Sequence, residues 1–167
     1  ALEVEKCITA RTRLIVAQHS FGIPCDIKPI VKYAKQNKIF LLEDCALALG
    51  SAIGDKKVGS FGDAAIFSTD HAKPLNTLIG GLVYSTNDHL LSKVVGIRDK
   101  SPEISIRKQK ALWRRFRLEG YLCHEERMSY FKFFAYVQVF LQKIFLIRDP
   151  FLTSDYSASI SIADYTY

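Results

Sequence analysis

Two short apolar runs, Leu14-Ile15-Val16-Ala17 and Ile39-Phe40-Leu41-Leu42, constrain the fold of this chain more than any other feature. Each reads as a buried strand. Between them Gly22 and Pro24 punctuate a loop, and Asp26 stands where it can cap a helix. Ile27, Ile30, Val31 and Ala34 then fall on one helical face, with Lys28, Lys32 and Lys35 outside it. Pro29 lies in the first turn, where a missing N–H is tolerated. Strand, helix, strand within about thirty residues is a βαβ unit, which predicts a parallel strand pair and an α/β fold with a mostly parallel sheet. Ala64-Ala65-Ile66-Phe67-Ser68 is a third expected strand and Leu82-Val83-Tyr84-Ser85, opened by Gly80-Gly81, a fourth. Thr86-Asn87-Asp88 caps a helix through Leu90, Leu91, Val94 and Val95, while residues 45–57 read as irregular.

Two of these strands end in chemistry. The run 39–42 delivers Glu43-Asp44, and the run 64–68 ends in Ser68, five residues before Lys73. Ligands of open α/β sheets bind beyond the C-terminal ends of the strands. A lysine amine there can hold an aldehyde cofactor as a Schiff base, and a carboxylate can keep a pyridinium nitrogen protonated. Plainer roles exist for the same residues. A loop lysine is usually solvated, Asp44 can cap a turn, Ser68 can be a strand-end hydroxyl, and His19 can simply satisfy backbone groups. His71, His89 and His124 show no partner by spacing, and Gly59, Gly62, Gly80 and Gly81 read as turn residues.

Five motifs in order add a family resemblance. Residues 1–95 resemble the DegT/DnrJ/EryC1/StrS sugar aminotransferases, fold-type I enzymes dependent on pyridoxal phosphate. Ile8-Thr9-Ala10-Arg11-Thr12-Arg13 resembles the family's T-x-K-T-K, and His19-Ser20-Phe21-Gly22-Ile23-Pro24-Cys25-Asp26 its H-x-Y-G-x-x-x-D. Glu43-Asp44-Cys45-Ala46 resembles E-D-A-A, Val58-Gly59-Ser60-Phe61-Gly62-Asp63 is the V-G-S-F-G-D turn, and Phe67-Ser68 with Lys73 and Gly80-Gly81 follows F-S-x-x-x-x-K…G-G. The resemblance implies a three-layer large-domain fold and pyridoxal phosphate as cofactor, with Lys73 as the catalytic, cofactor-linked lysine. It further implies that Asp44 pairs with the pyridine nitrogen, Ser68 contacts the phosphate and His19 lies near the cofactor, with no metal. The implied reaction moves an amino group from an amino acid, glutamate by expectation, to a nucleotide-linked keto-sugar in polysaccharide or deoxysugar biosynthesis, in a cytoplasmic homodimer. Leu47 stands where the family carries Gln, and Pro74-Leu75-Asn76 departs from its N-L after the lysine. The family's phosphate-binding loop precedes the segment matched, so residues 1–99 are expected to be part of a large domain. A truncated, non-catalytic domain serving as an interaction module is the alternative.

Charge sets off the rest. Residues 100–149 carry eleven basic and five acidic residues, which holds the whole net excess of the +6 chain. Residues 104–122 read as a basic helix with Trp113, Phe116 and Tyr121, and residues 125–147 as a long helix with Tyr130, Phe133, Phe134, Val137, Phe140, Leu141, Ile144 and Phe145 on one side. That gives a basic, aromatic helical segment over 100–149 and an irregular stretch over 150–167. The segment 104–147 is expected either to pack against protein or to lie in the plane of a membrane surface. Lys132, Gln138, Gln142 and Lys143 interrupt any spanning run, and no motif for nucleic acid is recognised. Cys7, Cys25, Cys45 and Cys123 form no C-x-x-C pair, as in reduced cytosolic thiols.

Overall fold

A short helix, α1 (Leu2–Cys7), leads into β1 (Leu14–Gln18), α2 (Ile27–Gln36) and β2 (Phe40–Asp44). β1 and β2 run parallel, with Leu14 beside Phe40 and Gln18 beside Asp44. The computed structural model describes residues 2–70 and 73–122, together with Phe133 and Val137. After β2 come β3 (Ala52–Ile53) and β4 (Lys56–Lys57), a two-stranded antiparallel hairpin. It occupies the stretch expected to be irregular, because two residues per strand are too few to show alternation. β5 (Ala64–Ser68) joins β2 in parallel, and β6 (Gly81–Tyr84) pairs antiparallel with β5. The four-stranded sheet therefore has the order β1-β2-β5-β6 and is mostly parallel, as expected.

The apolar face of α2 explains its position. Ile27 and Ala34 are buried, and with Ala17 and Leu41 they form one core cluster, against which Ile15, Ile30 and Val31 pack. Complete burial of a side chain the size of Ile27 contributes about 2–3 kcal/mol, so Ile27→Ala would loosen the helix from the sheet. Asp26 precedes α2 but makes no side-chain cap bond. Residues 45–65 build a second cluster from Cys45, Ala48, Val58 and Ala65, with Phe67 against it. Both clusters lie on the sheet face that carries Ile15, Ala17, Leu41, Glu43, Ala65 and Phe67. The opposite face carries Leu14, Val16, Ile66 and Val83, all exposed.

β6 is followed by α3 (Asp88–Lys100), whose first turn is capped by Asn87 through a bond from the Leu90 N–H. The chain divides into two compact units, Ala1–Glu103 and Ile104–Tyr167. In the second, α4 (Ile106–Leu122) is the basic helix expected from the sequence. The long helix expected over 125–147 lies outside the described residues except at Phe133 and Val137, which are helical.

Candidate functional site

Asp44 closes β2 at the C-terminal edge of the sheet. It pairs in register with Ile66, so Ser68, two residues further along β5, shares its face. Asp44 is half-buried, and its Oδ1 accepts a hydrogen bond from the Ala46 N–H at 3.0 Å. That bond orients the carboxyl and leaves Oδ2 for another partner. Ser68 ends β5 on the same open face, so the structure brings this carboxylate and this hydroxyl to one side of one edge.

Lys73 sits on the loop between β5 and β6, and it is half-buried. The neck of the loop is tied through Thr69. Its N–H donates to the Gly80 carbonyl, its carbonyl accepts from the Thr77 N–H, and the Thr77 hydroxyl donates to Thr69 Oγ1 at 2.7 Å. Lys73 itself donates its N–H to the Asp70 carbonyl at 2.9 Å. The loop therefore leaves the same edge as Asp44 and Ser68 and returns to it, with the lysine between.

His19 takes a different place. It follows β1, and its backbone N–H continues the ladder to the Asp44 carbonyl at 2.9 Å. Its side chain is buried on the covered face. Nδ1 accepts the Cys25 N–H at 3.1 Å, so the hydrogen of the neutral ring is on Nε2, which donates to Glu43 Oε2 at 3.1 Å. Both ring nitrogens are thus engaged inside the protein, on the side of the sheet away from Asp44.

Glu43 is the residue that motif reading left without a role. It is 0% exposed. Besides His19, its carboxylate accepts the N–H of Gly59 at 2.8 Å, of Phe61 at 2.6 Å and of Gly62 at 2.6 Å. Four donors fill the acceptor sites of the two oxygens, which is how a buried carboxylate is stabilised. The turn that supplies them is the V-G-S-F-G-D motif. Its glycines are needed for contact as well as for shape: a Cβ at Gly62 would lie 2.6 Å from the Leu41 carbonyl oxygen, and Gly59 has a φ of +88°. Asp63 completes the latch by accepting the Leu41 N–H through Oδ2 at 2.8 Å while donating its own N–H to the Leu41 carbonyl. The signal was present in the sequence, since an apolar strand ending in two carboxylates must place one on each face.

His19, Glu43 and Cys45 bring an imidazole, a carboxylate and a thiol within 4.8 Å of one another, all buried. Their chemistry is committed to the protein. The imidazole and carboxylate hold each other and four backbone groups, while burial, and then the charges of Glu43 and Asp44, push the Cys45 thiol up to about 12. Burial and Glu43 also raise the Cys25 thiol.

Residues 1–132 match the model of the DegT/DnrJ/EryC1/StrS aminotransferase family, a span that includes α3 and α4. The chain is 44% identical over 89 residues to a GDP-perosamine synthase of Escherichia coli O157:H7, covering 53% of this chain and 24% of that protein. It is 40% identical over 96 residues to a dTDP-3-amino-3,6-dideoxy-alpha-D-galactopyranose transaminase of Aneurinibacillus thermoaerophilus, covering 58% and 26%. Among solved structures it superposes on Helicobacter pylori PseC, an aminotransferase involved in the biosynthesis of pseudoaminic acid, with a TM-score of 0.58 and 32% identity over 63% of this chain and 29% of that one. The chain thus spans about a quarter of the length of the relatives it matches.

Proposed function

Because the chain belongs to the DegT/DnrJ/EryC1/StrS aminotransferase family, we propose that it supplies the core of a pyridoxal-phosphate-dependent site that transfers an amino group to a nucleotide-linked keto-sugar. The observation that carries this reading is the shared edge: Asp44 and Ser68 on one open face, with the Lys73 loop tied to the same strand ends. The donor set fits the cofactor, since a carboxylate, a hydroxyl and an amine match a pyridine nitrogen, a phosphate and an aldehyde. When bound, pyridoxal phosphate supplies an electron sink for the charge that develops at the α-carbon of the amino donor. Asp44 holds the proton at the ring nitrogen. Ser68 donates its hydroxyl to the phosphate. Lys73 anchors the cofactor and moves a proton at Nζ. His19, assigned to the neighbourhood of the cofactor by resemblance, serves in this proposal by fixing the end of β1 beside Asp44. Glutamate is the proposed donor, and the relatives named for GDP- and dTDP-linked sugars support a nucleotide sugar as acceptor.

The proposal places the protein in the cytoplasm as a homodimer, with residues 104–147 in contact with the inner face of a membrane. Among the described residues no helix is long and apolar enough to cross one. The test of the catalytic reading is chemical. Borohydride treatment in the presence of pyridoxal phosphate, followed by peptide mapping, places the label on Lys73, and Lys73→Ala removes it. Label on another lysine refutes the assignment. A chain that takes up no label and no cofactor fits instead the alternative of a non-catalytic interaction module.

A further inference from the structure

We propose that α4 is an interfacial helix whose basic and aromatic flank docks the chain on an anionic lipid surface. This deepens the membrane contact proposed above and is independent of the assignment of Lys73.

The residues of α4 divide by helical spacing into adjoining stripes. Arg107, Lys110, Arg114 and Arg117 recur every three or four residues along one side. With Trp113 they line a cleft of about 570 Å³. Next to that row run Ile106, Leu112, Trp113 and Phe116. Ile106 is 70% exposed, Trp113 66% and Phe116 48%, and the two aromatic rings meet edge to face at 6.2 Å. In all, α4 has six Lys or Arg residues and one Glu.

Cations alone would suit any polyanion. The apolar stripe selects among them. A nucleotide or a nucleic acid strand could pair with the arginines and stack on one ring, but it would leave Ile106 and the far side of Phe116 in water. A bilayer surface satisfies both stripes together. Headgroup phosphates meet the arginines and lysine, while the indole, the phenyl ring and the aliphatic side chains enter the boundary below them. Each Lys or Arg near an anionic leaflet contributes attraction that falls off within a Debye length, so the docking is salt-sensitive.

Trp113 is the only tryptophan in the chain, which makes its fluorescence a direct report on α4. The 167-residue chain is titrated with vesicles of phosphatidylcholine containing phosphatidylglycerol, and separately with phosphatidylcholine alone, GDP and single-stranded RNA. The expected result is a blue shift of Trp113 with the anionic vesicles only, protection from aqueous quenchers, quenching by brominated lipid tails, and reversal by high salt. Replacing Lys110→Glu, Arg114→Glu and Arg117→Glu together weakens vesicle binding by about a hundredfold or more. Ile106→Ser with Phe116→Ser weakens it while preserving the salt dependence. Equal binding to neutral vesicles, a Trp113 signal elicited by GDP or RNA instead, or the absence of any shift overturns the proposal. Vesicle co-sedimentation without any change at Trp113 overturns the role of α4 while leaving a membrane contact elsewhere in 104–147.

Discussion

Glu43 and Asp44 are consecutive residues of one strand, and the two faces of the sheet give them opposite lives. On the covered face Glu43 is sealed from solvent, and three backbone N–H groups and an imidazole converge on it. On the open face Asp44 is half-buried, holds one local bond to Ala46 and shares its edge with Ser68. A carboxylate saturated with donors can do little besides hold structure together. One with an unfilled oxygen at a strand end can act on something that arrives. The covered face thus holds the backbone that carries Asp44 and Ser68 on the open face, and the G-S-F-G turn serves the structural side.

The largest effect tests the open face. For the reaction proposed above, Lys73→Ala is expected to abolish amino transfer, and Asp44→Asn to lower kcat by about 10²–10⁴. Urea unfolding midpoints should barely move in either variant. If Asp44→Asn unfolds the protein, Asp44 belongs with Glu43 and the division between the faces fails.

Next comes the covered face. Glu43→Gln turns an amide NH₂ toward donors that formerly met a carboxylate oxygen, and stability should drop by about 3 kcal/mol, read from the same urea transitions. An unchanged midpoint would mean that water or a neighbour replaces the lost acceptor, and Glu43 would lose its place as the hub.

A paired comparison then sharpens the contrast. Gly62→Ala drives a methyl group against the Leu41 carbonyl and should cost about 2 kcal/mol. Val16→Ser, on the face left exposed, should stay within about 0.5 kcal/mol. Similar losses from both would show that the open face is covered in solution.

The smallest effect, taken per pH unit, is a stability slope from Cys45. Its folded value of about 12 lies above the ordinary 9.0 because burial disfavours the thiolate. The folded state therefore holds its proton more tightly than the unfolded chain. The associated stability is complete below about pH 9 and is lost as pH rises toward 12, by at most about 1.4 kcal/mol per unit. Cys45→Ala should flatten that decline, measured as urea midpoints between pH 8 and 11.

Much of this architecture could be read from local pattern. Apolar runs marked β1, β2 and β5, the spacing of Ile27, Ile30, Val31 and Ala34 marked the buried side of α2, and Asn87 marked the start of α3. The β3–β4 hairpin was not legible, since its strands are shorter than one full alternation. Asp26 looked like a cap, yet its side chain makes no such bond. His19 was legible as a residue of interest, but the side of the sheet it would occupy was not.

Local spacing was enough for the βαβ unit, the positions of the chargeable groups at strand ends and the motifs that identify the family, because each depends on a few neighbouring residues. It also determined that Glu43 and Asp44 must point to opposite faces, since side chains alternate along a strand. Which carboxylate would be buried was decided only by tertiary structure. The donors that satisfy Glu43 come from His19, twenty-four residues before it, and from a turn sixteen to nineteen residues after it. No local period encodes that meeting; it exists only once β1, β2 and β5 lie side by side and α2 and the 45–62 segment close over one face of them.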